Sequence, residues 1–535
     1  MIKQNLGELL EEKVTLDIEG IDRLYLNAYQ PMLQTGGGVS LFFRRHRGAV
    51  VASTTLMAPM SRAFVADIQR FSRRDDIDMV RFKKGQRKDD ETKKRLKDFH
   101  QEEGVLYIGV AQEKFGAFRV IKKQNPETGA FYPWLYRSTV MCNQHYFYLV
   151  DEDFGPMFIK FSSYFPYTAR INLNGHEYAK RQLEKEGIAF EALDNGVLSC
   201  ADPERLQQIL EELDETKIER VVRKWFDRLP HPFTADDQAA GFRYQISMLQ
   251  AEFARTQVFD RPLSGRQLFE EVIRENIDLG RPEKVSLIFD RRIIKSTPGR
   301  FSTRVITHGV IPTLHVGYKT SKIKQYFKEE RALRTETTIN NTRDFALGRL
   351  LKNLPALREI GFNANRRLLE VEMISQDCQL GNETFEQITR PQLVDGQRAS
   401  ALGFGNERTM ALFQALCLFM LLPTGFRNAD IRQHVAQLLG MTLEEYSPGR
   451  MTYDLRRLRL HGVIARDKGT HCYHLTQEGM QVCLFMTKVY LRVIRPGLSQ
   501  VKDGCPKAPV RPVATAMKNL DLAIDRLVEE AKLAA

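Results

Sequence analysis

Residues 451–479, MTYDLRRLRLHGVIARDKGTHCYHLTQEG, decide how the C-terminal part of the chain is read. Leu455, Leu458 and Val463 fall at core-facing positions, and Tyr453, Arg456, Arg457 and Arg459 are left mostly on other faces. Gly462 closes a helix. Residues 463–466 then read as a short strand, 467–470 as a polar turn and 471–476 as the returning strand. Working outward, Pro448-Gly449 introduces this helix at 450–461. Asn428 is placed to cap a helix over 429–439 that Gly440 ends, and residues 408–422 form an earlier helix stopped by Pro423 and Gly425. The order is helix, helix, helix, hairpin. From Arg450 to Lys468 there are six Lys or Arg against two Asp or Glu. Arg450, Tyr453, Arg456, Arg457, Arg459, Arg466 and Lys468 are the candidates for contact with a polyanion.

The same segment resembles the recognition helix and wing of winged helix-turn-helix proteins. The matching features are the basic third helix, Leu455 and Leu458 ahead of Gly462-Val463-Ile464, the basic turn, and Tyr473-His474-Leu475-Thr476 followed by Gly479. The resemblance implies a helix in a major groove with arginines at base edges and phosphates, and Arg466 and Lys468 on the neighbouring backbone. Duplex DNA is the implied partner, ahead of RNA. Other winged helices join proteins, so an assembly role in an RNA-associated or multiprotein particle stays open.

The whole chain has 535 residues, 43% hydrophobic and 27% charged, which excludes collagen-like, low-complexity and wholly disordered classes. Lys and Arg exceed Asp and Glu by 79 to 67, a net charge of +12 that favours a polyanionic partner. The seven cysteines are scattered without a C-x-x-C pair, which fits reduced thiols in a cytoplasm and no structural metal. The N-terminal residues lack the apolar centre of a secretory signal, and no run is long enough to span a bilayer, so no membrane partner is expected.

The fold class expected is multidomain α/β, mixed α+β in its N-terminal and central regions, with the C-terminal winged helix. The segments are an N-terminal α/β domain at 1–200, a helical and β-hairpin basic domain at 201–375, a linker or small subdomain at 376–405, the winged helix at 406–495, and a flexible connection with a terminal helix at 496–535. Within them, 21–29 reads as a strand, Gly36-Gly37-Gly38 as a turn, and 105–111 and 117–122 as partner strands. Residues 241–279 read as helix in two pieces, 285–289 as a strand, and 323–327 with 333–339 as an antiparallel pair. No internal repeat is visible.

Two further stretches carry candidates. Residues 281–334 hold thirteen Lys or Arg against four Asp or Glu. Strand alternation puts Lys322, Lys324 and Tyr326 on one face, with Lys328 and Arg334 nearby, a pattern for phosphate contact with ring stacking. Lys83, Lys84, Arg87 and Lys88 surround Gly85 and could hold phosphate on an exposed loop. Asp89, Asp90, Glu113 and Lys114 raise the alternative of a metal-dependent nuclease or a replication or mobile-element initiator; only then would Mg²⁺ be a cofactor, and otherwise none is expected. Glu113 and Lys114 are adjacent, so a strand would point them to opposite faces.

Residues 322–340 resemble the hairpin of some phage and plasmid replication initiators at Arg334 and Glu336, but the His-hydrophobe-His metal triplet of those initiators is absent from the chain. FKKGQRKDD at 82–90, DEDFGPMFIKF at 151–161, LNGHEYAKRQ at 173–182, FDRPLSGR at 259–266, LRTETTIN at 333–340 and YDLRRLRLHG at 453–462 resemble an uncharacterised bacterial protein family with a C-terminal winged helix-turn-helix domain. That resemblance implies no catalytic residue.

Overall fold

In a computed structural model the chain divides into two compact units, Met1–Glu370 and Val371–Ala535. The structure describes residues 10–494 except 11, 50, 84, 266–268, 270–287, 290–301, 309–310, 329–330, 377–379 and 421–423, and beyond 494 only 519, 522, 523 and 526. The terminal helix expected within 496–535, most of the strand expected at 285–289, and Lys84 lie outside the described residues.

The first unit is built on one 12-stranded sheet. Its chain begins with β1 (Val14–Tyr29), α1 (Gly36–His46), α2 (Thr54–Arg74), β2 (Met79–Arg81) and α3 (Lys88–Lys97). A meander follows: β3 (Gly104–Gln124), β4 (Phe131–Asp151), β5 (Gly155–Ser162) and β6 (Ala169–Asn174). Then come α4 (Gly175–Glu186), the separate hairpin β7 (Phe190–Leu193) and β8 (Gly196–Cys200), α5 (Pro203–Glu212), α6 (Glu215–Arg228) and α7 (Ala235–Ala239). The sheet resumes with β9 (Gln245–Phe259), β10 (Ile288–Phe289), β11 (Ser302–His308), β12 (Ile311–Tyr318), β13 (Ser321–Lys328) and β14 (Ala332–Ile339), and α8 (Leu354–Gln376) follows.

The strand order is β2-β3-β4-β5-β6-β1-β9-β14-β13-β12-β11-β10. Each half therefore runs the same course. A long first strand lies at the centre, a short second strand lies at the outer edge parallel to the third, and a meander returns until its last strand pairs with the first. β1 and β9 meet antiparallel from Val14↔Phe259 to Tyr29↔Gln245. This duplicated topology has no counterpart in a visible repeat of residues, and the boundary expected near residue 200 falls within one unit, because both halves share one sheet.

One face of the sheet carries the apolar core. Leu24, Leu26, Ile159, Phe161, Ile171 and Phe253 are buried there with Phe42, Phe64, Leu206 and Trp225 from the helices. Removing apolar area of this kind from water is the main source of stability.

Three local expectations change. β9 replaces helix over 245–259, while 266–268 and 270–279 of the expected second piece lie outside the described residues: β9 is buried from both sides, so period-two alternation is lost and sheet context overrides the helix-forming Gln250, Ala251, Glu252 and Ala254. Residues 105–111 and 117–122 are one strand, whose partner is β4 from Gly104↔Val150 to Gln124↔Phe131. Gly36-Gly37-Gly38 opens α1 instead of forming a turn, capped by Thr35, whose hydroxyl accepts from Gly38 N at 3.1 Å.

The second unit comprises α9 (Asn382–Thr389), the hairpin β15 (Gln392–Val394) and β16 (Gln397–Ala399), α10 (Glu407–Phe419), α11 (Asn428–Leu438), α12 (Pro448–Leu460), β17 (Ile464–Arg466), β18 (Tyr473–Leu475) and α13 (Gln477–Val489). Residues expected as a linker or small subdomain thus carry α9 and a hairpin. Arg427, not Asn428, precedes α11 as its cap, with Asp430 accepting from Arg427 N at 2.9 Å. Asn428 instead donates to Pro448 O at 3.1 Å and Thr452 Oγ1 at 2.9 Å, tying α11 to α12. Leu412, Phe413, Ile431, Val435, Leu455, Leu458, Val463 and Leu484 form the core. Among the described residues, no helix is long and apolar enough to cross a membrane.

Candidate nucleic-acid interface

α12 is amphipathic in the way its leucines require: Met451, Leu455 and Leu458 are buried, while Arg450, Thr452, Tyr453 and Arg459 are exposed and Arg456 is half-buried. Ser447 caps the helix, and Pro448 occupies its first turn. Arg450 Nη1 donates to Glu445 O at 2.9 Å, leaving the rest of its guanidinium toward solvent. Arg456 Nη1 donates to Arg398 O at 3.2 Å, and Tyr453 Oη lies 3.2 Å from Ser400 Oγ. These two contacts set the β15–β16 hairpin beside the helix.

Arg457 departs from expectation. It is 8% exposed and turned inward, with Nη2 donating to Ala401 O at 2.6 Å and Nη1 to Asp454 Oδ1 at 3.4 Å. Asp454 is fully buried and also takes Arg408 at 2.7 Å and the Tyr446 hydroxyl at 2.5 Å. A buried carboxylate needs such partners, so Arg457 belongs to the unit's interior network and not to an outer basic face. His461 completes the anchoring, with its ring nitrogens 2.9 Å from Gln387 O and 3.0 Å from Ser400 O.

In the turn between β17 and β18, Lys468 is exposed, and Arg466 Nε donates to Thr470 O at 2.6 Å, stiffening the loop. Asp467, Cys472 and His474 bring ligand atoms within 4.8 Å of one another, the one such grouping among the described residues. His474 Nε2 lies 2.9 Å from Asp467 Oδ2, a self-sufficient hydrogen-bonded pair.

In the second half of the sheet, Ile323, Gln325 and Phe327 are buried, leaving Lys322, Lys324, Tyr326 and Lys328 on the other face. Lys322 is exposed. Lys324 Nζ sits 3.7 Å from the Tyr326 ring centroid, and the Tyr326 hydroxyl donates to Glu336 at 2.7 Å. Arg334 is corrected from surface contact to interior tie: it is fully buried, paired with Asp22 at 2.8 Å and Glu336 at 2.6 Å, and it donates to Asn195 O and to His176 Nε2, 3.0 Å away. Burial, reinforced by the Arg334 charge, holds the His176 imidazole down at about 3, so it is neutral and accepts that hydrogen bond. This network links Asp22 and His176 of the first half with Arg334 and Glu336 of the second.

In the first half, the structure brings Lys88 and Glu113 together and adds two residues the sequence did not flag, Tyr146 and Lys160. Lys88 Nζ is 2.8 Å and Lys160 Nζ 2.9 Å from the Glu113 carboxylate, which also accepts the Tyr146 hydroxyl. Burial disfavours the charged Glu113, but these three donors outweigh it and hold its carboxyl at about 2. Sequence separation hid the cluster, because β3, β4 and β5 meet only through the meander. Lys83, Arg87, Asp89 and Asp90 are exposed, and Asp89 and Asp90 lie in the first turn of α3. Lys114 is exposed and points away from Glu113, as adjacent strand residues must. Among the described residues the partners of Glu113 are the cations Lys88 and Lys160 and the Tyr146 hydroxyl, with no second carboxylate.

No protein family, curated protein or solved structure matches the chain.

Proposed function

We propose that the protein binds duplex DNA through α12 and the β17–β18 turn of its second unit. The order of three helices, an antiparallel strand pair and a closing helix supports reading this unit as a winged helix, with α12 as the recognition helix. The observation that carries the proposal is the exposure of Arg450, Thr452, Tyr453 and Arg459, with Arg456 half-buried beside them, on a helix whose leucines are buried. Arginine forks suit guanine edges and phosphates, and Lys468 at the turn suits the neighbouring backbone. RNA and a purely protein partner rank behind, because stacked duplex phosphates best match a rigid basic helix.

The test is fluorescence anisotropy of a labelled duplex with the full chain and with Arg450→Ala/Arg459→Ala/Lys468→Ala. These side chains are exposed, so the variant should fold as the parent does. A tenfold or greater loss of affinity is expected; unchanged binding at matched ionic strength rejects the reading. The nuclease alternative gains nothing from Glu113, whose charge is already satisfied by Lys88 and Lys160.

A further inference from the structure

β3 and β4 continue well past the sheet. β5 pairs with β4 only from Gln144↔Ser162 to Asp151↔Gly155, and β2 touches β3 only from Met79↔Ile108 to Arg81↔Val110. Residues 112–143 therefore form a two-stranded arm closed by a turn at 125–130. The arm holds five Lys or Arg, two Asp or Glu and six aromatic residues. Its outer part is exposed: Phe131 is 70%, Trp134 45% and Ile121 43% open to solvent. The face carrying Phe118, Leu135 and Arg137 packs on the core, with Phe118 buried and Arg137 donating to Gln34 Oε1 at 2.7 Å, whereas the rings left exposed toward the tip mark a contact surface.

The register places Arg119↔Tyr136, Ile121↔Trp134 and Lys123↔Tyr132, and alternation gathers these six side chains on one face. Lys123 Nζ lies 4.4 Å from the Trp134 ring centroid, and the Tyr132 and Trp134 rings stand 6.4 Å apart at 81°. Along β4, rings recur every second residue, about 6.8 Å apart. Cations interleaved with rings at that spacing suit a strand whose phosphates run beside Arg119 and Lys123 while its bases turn onto the rings. A closed duplex hides the base faces such rings need, and an apolar protein partner would leave the cations unpaired.

We infer that this arm binds an unpaired polynucleotide, with Tyr132, Trp134 and Tyr136 as the stacking platform. The arm belongs to the first unit and α12 to the second, and the inference does not depend on the duplex reading. The chain has two tryptophans, Trp134 on the arm and Trp225, which is 2% exposed, so quenching of intrinsic fluorescence reports on Trp134. The full-length protein is titrated with an oligothymidylate, an oligouridylate and a blunt hairpin duplex at the same ionic strength. Saturable quenching by either single strand, absent in Trp134→Phe and weak with the hairpin, is the expected result. A preference between the two single strands assigns DNA or RNA. Arg119→Glu/Lys123→Glu, which keeps the reporter, should raise the half-saturating concentration at least tenfold. No quenching by either single strand, equal quenching by the hairpin, or an unchanged titration in the charge-reversed variant overturns the inference.

Discussion

Two arginines two positions apart on one helix have opposite fates. Arg457 is enclosed with Asp454 and two backbone carbonyls, while Arg459 stands in solvent. Arg457→Ala should therefore destabilise the protein by about 1–3 kcal/mol in chemical denaturation, the cost of unpaired buried polar groups. Arg459→Ala should stay within about 0.5 kcal/mol of the parent and act on DNA binding alone. Arg334 is the stronger case. Arg334→Ala leaves Asp22 and Glu336 buried without their cation, and a loss of about 3–5 kcal/mol is expected from the same measurement. Burial first, then the Arg81 charge, lowers the His145 imidazole to about 4, and burial with Arg334 lowers His176 to about 3. Both folded values lie below the ordinary histidine value near 6.5, so the unfolded chain binds more protons between there and about 3. Their contribution is full above about pH 6.5 and falls as the medium is acidified, by up to about 1.4 kcal/mol per pH unit for each ring. Denaturation of His176→Gln across that window should show a shallower acid slope; an identical slope would contradict the buried neutral ring.

Elements were legible where one face is wet. β13, α12 and the β17–β18 pair each alternate or repeat clearly enough to be read from residues alone, and β14, though buried throughout, was read as the partner of β13, the pairing of 323–327 with 333–339 lying inside the two strands. β9 was not legible, because a strand flanked by β1 and β14 and buried on both faces carries no alternation. Lys88 and Glu113 were each visible, but Tyr146 and Lys160 were not, since only the meander brings them within hydrogen-bond reach. The glycine run misread as a turn offers a local test of α1. A Cβ on Gly38 would lie 1.8 Å from the Met32 carbonyl oxygen, while one on Gly37 would meet nothing within 4 Å. Gly38→Ala should cost about 1–3 kcal/mol of stability, and Gly37→Ala should be neutral or add about 0.5 kcal/mol. Comparable melting curves for the two variants would contradict the tight approach of α1 to the preceding loop.

Across the whole molecule, the twelve strands repeat one topology twice without a visible repeat in residues. β1 and β9 share a place in the sheet but little sequence, because what each position demands is burial and register, which many side chains satisfy. The excess of twelve positive charges is likewise spread over both units, so net charge alone cannot say which surface meets a polyanion. The duplex reading is specific about that surface, and it fixes a number. Replacing two phosphate-binding cations, Arg459 and Lys468, removes about two released counterions. The slope of log affinity against log salt concentration should then become shallower by roughly 1.8. The direct measurement is duplex affinity over a salt series for the parent and for Arg459→Ala/Lys468→Ala. A weaker and flatter dependence in the variant is the predicted result, and superimposable salt plots would contradict the proposed role of α12 and its neighbouring turn.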